Sequence, residues 1–501
     1  MTKSDTAAEP PTYTPELCVK RSGAFFTPET VSQSLVRWAC RSPSDRMLDP
    51  SCGNGEFLRH HWNSVGIEQN PLSAHLAMDR VPGALVHEGE FFPWAADTSE
   101  RFECAAGNPP FIRYQTFKGS VRERALALCS DLGARFSGLS SSWAPFLVAT
   151  ASLLKPSGRM AFVVPAEIGH APYAAPLLYY LTQNFERVQV IAVREKMFPH
   201  LSEDCWLLFA DGFSGQTDSI GFTVRDRFEP GREPPSVDTN VLVSEWGGVW
   251  QNRLRPLILP NAVREIYRAA ADDIGPHRFG QFARIGIGYV SGDNRFFHLT
   301  PSQAKRWRIP DRFLLPSVRN SRSLPSGPIT PSDVAAWKAD DAPCLLLRLP
   351  RKGRMPTSVA QYLDSADGKT TRKGYKARNR SPWYSVPDVR IPDYMMTYMS
   401  GRSVRLVPNG AGVTCTNSLH AVSVTDKAMA KACLARWSSP FTQLSCEIEG
   451  HALGGGMLKL EPREAGRILF PSRELLAQFD GEEIEAGIGL LQGWRHYADR
   501  P

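Results

Sequence analysis

Residues 104–111 read Cys-Ala-Ala-Gly-Asn-Pro-Pro-Phe, and the last four can do chemistry. Paired prolines cannot continue a helix or pair inside a central strand, so Asn108-Pro109-Pro110-Phe111 is a stiff loop leaving a strand predicted over 102–107. The Asn108 side-chain oxygen and the Pro109 carbonyl are two hydrogen-bond acceptors, and Phe111 adds a flat apolar face. Together they suit a planar ligand with an exocyclic amino group, such as adenine. Asx-Pro turns are also common loop punctuation, so the tetrapeptide needs its context.

That context lies upstream. Arg46-Met47-Leu48 is a short apolar strand running into Asp49-Pro50-Ser51-Cys52-Gly53-Asn54-Gly55. A strand, a glycine-bearing turn and a helix form the nucleotide-gripping unit of doubly wound α/β folds. No Lys-Ser or Lys-Thr follows the glycines, which excludes a phosphate-binding P-loop, and the GxGxxG fingerprint is missing. Asp49 favours a cationic or hydroxyl-bearing ligand over a pyrophosphate. Further on, Val65-Gly66-Ile67-Glu68 ends a second strand in a carboxylate placed to hold a ribose diol. A third strand near 84–87 runs into Glu88, Glu90, Phe91 and Phe92. Any one of these acids could be a solvated strand end; their recurrence after three successive strands points to a ligand site.

The order and spacing of Gly23-Ala-Phe-Phe-Thr27-Pro28, the 49–55 loop, Glu68, Glu90-Phe91 and the 108–111 tetrapeptide resemble the gamma-class, TaqI-like DNA adenine-N6 methyltransferases. The resemblance covers roughly residues 20–210 and weakens beyond. It implies an α/β fold, the doubly wound sheet of an S-adenosylmethionine (SAM)-dependent class I methyltransferase, followed by a C-terminal mixed α+β target-recognition domain. Carried onto this chain, it puts Thr27 and Asp49 near the methionine part of SAM, with Ser51, Gly53, Asn108 and Pro110 also lining the cofactor site. Glu68 would hold the ribose, Glu90 would accept from the cofactor's adenine amine, and Phe91 would pack on that ring. Asn108, Pro109 and Phe111 would be catalytic. Phe is here where the TaqI-like branch often has Tyr, which removes a hydroxyl and keeps the stacking face. Phe198, otherwise a core or loop residue, falls where the family has an aromatic opposite the tetrapeptide, giving a flipped base its second flat surface together with Phe111.

The reaction so implied is direct transfer of the sulfonium methyl to adenine N6, driven by orientation and polarisation. It needs no metal, no covalent intermediate and no base before attack. Cys52 and Cys104 are therefore not nucleophile candidates, and Pro343-Cys344 lies in the wrong half for a cytosine-C5 enzyme.

The elements that must position these residues follow from pattern. Residues 29–40 carry an amphipathic helix. Strands near 46–49, 64–68, 84–87, 102–107, 159–165, 187–193 and 204–210 would complete a seven-stranded sheet. Residues 112–142 interrupt it as an insertion beside the site, and 143–154 are helical, stopping at Lys155-Pro156-Ser157-Gly158. The 501 residues suggest a tail (1–22), a catalytic domain (23–245) and a DNA target-recognition domain (246–501), where proline, arginine and short strands replace the α/β alternation. That half holds a glycine-spaced strand and turn, 285–294, ahead of Arg295, and the basic residues Arg319, Arg322, Arg351 and Lys352. A run from 369 to 380 carries Lys369, Arg372, Lys373, Lys376, Arg378 and Arg380 with no acid, ahead of Trp383-Tyr384. Each cluster alone could be a solvated face; several interleaved with aromatics suit a phosphate-tracking groove.

Composition agrees. Hydrophobic residues make up 42% and charged residues 22%, with a formal net charge of +7 that favours an anionic partner. The ten cysteines form no Cys-x-x-Cys pair, so neither zinc nor a disulfide framework is expected. The N-terminus lacks the apolar core of a signal peptide, and no run is long enough to span a membrane. A cytoplasmic protein that acts on double-stranded DNA as a monomer, without membrane contact, is expected. No nuclease-like segment is visible, so any restriction activity would sit on a separately encoded endonuclease. Two other readings stay open: a methyltransferase of RNA or of a protein glutamine, and a non-catalytic DNA-specificity subunit.

Overall fold

In a computed structural model of the chain, residues 27–138, 140–198, 203–273, 277–453 and 455–497 are described. The expected tail, residues 23–26 of the first motif, and Pro199 and His200 lie outside them. The chain divides into two compact units, Met1–Ile258 and Leu259–Pro501.

The first unit is built on one sheet. Its strands are β1 (Met47–Asp49), β2 (Ser64–Glu68), β3 (Leu85–Glu88), β4 (Phe102–Gly107), β5 (Leu154–Pro165), β6 (Phe185–Val193), β7 (Cys205–Phe213), β8 (Ser219–Arg225) and β9 (Thr239–Leu242), in the order β3-β2-β1-β4-β5-β7-β6-β8-β9. Strands β1 to β5 pair in parallel, whereas β7 runs antiparallel between β5 and β6. This is the doubly wound sheet expected of a SAM-dependent class I methyltransferase, with β7 reversed. Seven strands are expected and nine are present among the described residues. Strand β8 adds in parallel to β6, and β9 closes the edge antiparallel to β8. Proline and charge around 226–238 mask their pattern in the sequence.

The central strands are buried on both faces, hence their unbroken apolar runs. Met47, Cys104, Ala106, Ala161, Val163, Ile191 and Leu207 form one side, and helix α1 (Glu29–Ala39) packs Val31, Leu35, Val36 and Trp38 onto it. Helix α2 (Pro71–Arg80) starts with proline at its first position, and the Asn70 side chain accepts from the Ser73 N–H at 3.1 Å, a cap that satisfies an otherwise orphaned donor. Helix α3 (Phe91–Asp97) follows β3, helix α4 (Ser120–Asp131) lies within the expected insertion, and helix α5 (Trp143–Ala151) is buried along its whole length. The expected helix over 143–154 is thus shorter, because Leu154 and the Lys155–Gly158 stretch already belong to β5.

The first unit runs past the boundary that composition suggests at 245/246. Trp246, Trp250 and Leu254 are fully buried. Trp246 packs on Tyr179 with ring centroids 4.8 Å apart, and the Leu254 N–H donates to the Gly169 carbonyl. Apolar burial of this size outweighs the local change in composition.

The second unit is α+β, with short mixed sheets and helices around three apolar clusters. Its most regular sheet pairs Ala283–Ile287 with Leu419–Val424, antiparallel, and carries Tyr394–Thr397 on the far side. No helix among the described residues is long and apolar enough to cross a membrane.

Candidate active site

Because β1, β2, β3 and β4 are parallel neighbours, the loops after them open at one edge of the sheet. A cavity of about 690 Å³ opens there, lined among others by Thr27, Ser51, Gly53, Glu68, Glu90, Phe91, Asn108 and Pro110. These eight residues come from five separate segments of sequence.

The loop after β1 is shaped by glycine. Gly53 and Gly55 have φ of +55° and +83°, values that side chains disfavour. The Glu68 carboxylate holds this loop, accepting from the Gly53 N–H at 2.9 Å through Oε2 and from the Asn70 N–H at 2.7 Å through Oε1. Burial raises the Glu68 pKa. Glu68 stands in register with Glu88 on β3, and Glu90 is exposed at the start of α3.

Asp49 does not line the cavity. It lies beneath the loop at 1% exposure, with Oδ1 accepting from the Ser51 N–H at 3.2 Å and Oδ2 buried without a hydrogen-bond partner. Burial first, and the nearby Glu68 charge after it, push its pKa up to about 8. Gly107 is required beside it: a Cβ there would come within 2.7 Å of Asp49 Oδ1. Burial beside these two carboxyls also pushes the Cys52 thiol upward, which keeps it protonated and unreactive.

The tetrapeptide is fixed from three sides. Asn108 donates through Nδ2 to Thr27 Oγ1 at 3.2 Å, and its backbone carbonyl accepts from the Ser51 hydroxyl at 3.2 Å. Ser142, at the foot of α5, donates its hydroxyl to the Pro110 carbonyl. Ser142 Oγ in turn accepts from the Ile112 N–H, and the Ser142 N–H donates back to the Ile112 carbonyl, both at 3.0 Å. Sequence reading missed Ser142; its one signal was a serine just ahead of a helix.

The aromatic floor is continuous. Phe91 lies 4.6 Å from Phe146 between ring centroids, and Phe146 meets Phe92 edge-on at 5.0 Å. Thr116, Phe117, Lys118 and Val121 of the insertion wall the same cavity. Pro109 and Phe111 stand off this wall. Phe111 packs instead against the cluster holding Met197 and Phe198, and Phe198 is buried at 6% exposure.

The expected DNA-contacting residues are in the second unit. Arg295, Arg322, Arg351, Lys352, Lys369, Arg372, Lys373, Lys376 and Arg378 are exposed, and Arg319 is half-buried. Arg380 is committed internally, donating to the carbonyls of Val290 and Ser291.

A 690 Å³ cavity with two carboxylates near its rim, an apolar aromatic floor and an orphaned buried carboxylate oxygen beneath it fits a nucleoside bearing a cationic tail. Its size lies within the range of small-molecule sites.

The family of the type II methyltransferase M.Eco57I C-terminal domain matches residues 251–488. The type II methyltransferase M.AccI of Acinetobacter calcoaceticus is 19% identical over 93% of this chain and 88% of its own length. M.XamI of Xanthomonas campestris pv. amaranthicola is 22% identical over 91% and 86%. Among solved structures, the type IIG restriction endonuclease BpuSI is 14% identical, with a TM-score of 0.42 over 95% of this chain and 62% of that one. The type IIL restriction-modification enzyme MmeI, solved in complex with DNA, is 12% identical, with a TM-score of 0.49 over 89% and 63%. The chain thus spans less than two thirds of either of these larger proteins. The chain is thus similar to type II methyltransferases along most of its length, and these likenesses support a gamma-class type II DNA methyltransferase.

Proposed function

We propose that this protein transfers a methyl group from SAM to N6 of an adenine flipped out of duplex DNA, at a specific site, as the modification enzyme of a restriction-modification system. A separately encoded endonuclease would be its counterpart. The observation that carries the reading is the Asn108 carboxamide: its nitrogen is committed to Thr27, which leaves its oxygen as an acceptor for a substrate amino group.

SAM, when bound, supplies an electrophilic methyl on a sulfonium sulfur. Glu68 and Glu90 have the chemistry to hold its ribose hydroxyls and adenine amine, Phe91 to cover the adenine ring, and Asp49 to balance the positive charge of its amino-acid end. Asn108 Oδ1 and the Pro109 carbonyl then accept one hydrogen bond each from the two N6–H groups, and the amine releases one proton to solvent after the methyl group has been transferred. Both bonds draw the amine from planarity towards tetrahedral geometry and localise its lone pair for in-line attack. Preorganised acceptors of this kind need no rearrangement at the moment of reaction. Phe111 stacks on the target base, with Phe198 behind it, and unstacking the base from the duplex costs a few kcal/mol. The exposed basic residues of the second unit, 369–378 foremost, track phosphates and set the register of the duplex.

The test is a methyl-acceptor assay with labelled SAM on duplex DNA, RNA and protein, followed by nucleoside analysis of the product. N6-methyladenine in DNA is expected. Label confined to RNA or protein, or N4-methylcytosine as the product, would overturn the assignment, and SAM binding without any transfer would favour a non-catalytic specificity subunit.

A further inference from the structure

The second unit holds a cleft of about 400 Å³ whose lining includes Arg284, Gly286, Asp388, Arg390, Thr414 and Ser423. Strands Ala283–Ile287 and Leu419–Val424, the short strand Thr414–Cys415 and one loop build it. Arg284 pairs with Ser423, and Gly286 with Ala421, in antiparallel register, so these four residues share one face of the sheet. Gly286 keeps that floor low: a Cβ there would meet nothing within 4 Å, so the missing side chain leaves space rather than relieving a clash.

The loop carrying Asp388 and Arg390 is held rigid. It lies between Pro387 and Pro392, and Asp388 adopts φ of +57°. The Thr414 hydroxyl donates to the Arg390 carbonyl at 2.6 Å, Asn409 Nδ2 donates to the Pro392 carbonyl at 2.7 Å, and the Asp393 N–H donates to the Val422 carbonyl at 2.9 Å. Arg284, Asp388 and Arg390 are all exposed, and their charged groups have no ion-pair partner among the described residues. Two unpaired guanidiniums and an unpaired carboxylate thus line one preorganised concavity.

Mixed charge decides what the cleft suits. A phosphate would meet repulsion from Asp388, whereas the major-groove edge of a guanine–cytosine pair offers the acceptors O6 and N7 beside the N4 amino donor. Arginine pairs with the first two in bidentate fashion, and aspartate accepts from the third. We propose that this cleft reads a guanine–cytosine pair of the target sequence, through Arg284 or Arg390 on guanine and Asp388 on cytosine. The inference rests on the reading of this protein as a DNA-acting enzyme and goes beyond it by naming the base pair and the residues.

The experiment is selection of bound duplexes from a randomised pool, followed by sequencing, with the full-length wild type and with Arg284→Gln, Arg284→Lys, Arg390→Gln and Asp388→Asn. Thermal unfolding verifies that each variant keeps its fold. The wild type should enrich a motif with an invariant guanine–cytosine pair. An arginine-to-glutamine change should lower discrimination at that one position by roughly ten- to a hundredfold. Arg284→Lys tests the planar fork of that residue without altering net charge. Asp388→Asn should relax the same position, and the salt dependence of binding to non-cognate DNA should stay as in the wild type. An unchanged motif in all four variants overturns the proposal. So does a uniform loss of affinity on every sequence with a shallower salt slope, which marks phosphate binding, and so does a wild type that selects no motif. A wild type that selects the motif but transfers no methyl to DNA would sink the methyltransferase reading and still support the cleft as a base reader.

Discussion

Asn108 and Thr27 lie eighty-one positions apart in sequence, yet the carboxamide Nδ2 of one donates to the hydroxyl Oγ1 of the other at 3.2 Å. Under the proposed function Thr27 would therefore fix which end of the amide faces the substrate, a role distinct from the cofactor contact that the sequence implies for it. Asn108→Ala should lose about 3–4 kcal/mol of transition-state stabilisation, the range for one preorganised hydrogen bond, with SAM affinity little altered. Thr27→Val, which keeps the shape and removes the hydroxyl, should lower kcat by about 0.5–1.5 kcal/mol, the net worth of an ordinary hydrogen bond. Steady-state kinetics beside calorimetry of SAM binding separates these effects, and near-normal turnover of the alanine variant would refute the catalytic assignment.

Glu68 serves two ends at once, holding the Gly53 and Asn70 amides while it faces the cavity. Glu68→Ala should weaken SAM binding by about 1.5–3 kcal/mol, the range for hydrogen bonds to a charged group. Glu68→Gln, which still accepts through one oxygen, should lose less. Cofactor-free DNA binding should hardly change. Equal SAM affinity in wild type and alanine variant would reduce Glu68 to a strand-end acid.

Asp49 makes the cofactor-free protein sensitive to pH in an unusual direction. Its carboxyl loses its proton near 3.8 in an unfolded chain and at about 8 in the folded one. Between those values the folded state binds the extra proton, so this contribution to stability is complete below pH 3.8 and is lost as pH rises towards 8. The slope is at most about 1.4 kcal/mol per pH unit. Urea titrations at about pH 5, 6, 7 and 8 should show stability falling for the wild type relative to Asp49→Asn, which lacks the ionisation and should be the more stable protein at the alkaline end of that window. SAM, arriving with a positive charge, should bind with release of a proton. Parallel stability profiles for the two proteins would show that Asp49 ionises freely.

The basic run of the second unit tests the grip on DNA. Replacing Lys373, Lys376 and Arg378 together with glutamine should weaken binding to all duplexes alike. The slope of log affinity against log salt should fall by about 0.9 for each phosphate that the variant leaves unneutralised. All three side chains are exposed, so folding should be spared. An unchanged slope would make this run a solvated surface.

Much of the catalytic unit could be read directly from the chain, and the reason is local. Strands β1 to β4 each end in glycine or acid, and the site residues sit where those strands stop. What escaped notice depends on partners distant in sequence. Strand β8 takes its place by pairing with β6 and β9, and Ser142 gains its role from Pro110 and Ile112 across the insertion. Arg380 reads in the sequence as one more free cation, whereas in the fold the 290–291 carbonyls claim it. Arg284 and Arg390, isolated in sequence and outside every basic run, are brought to one cleft by strand register and a pinned loop.

The reciprocal bonds between Ile112 and Ser142 join two points thirty residues apart, so both ends of the insertion are pinned beside the tetrapeptide. The segment between them is anchored as well, with Phe117 meeting Phe92 at 6.3 Å between ring centroids and the Cys129 thiol donating to the Pro145 carbonyl. Since Thr116, Phe117, Lys118 and Val121 wall the cavity, smaller side chains at Thr116 and Lys118 would, under the proposed function, make room for cofactors carrying groups bulkier than methyl.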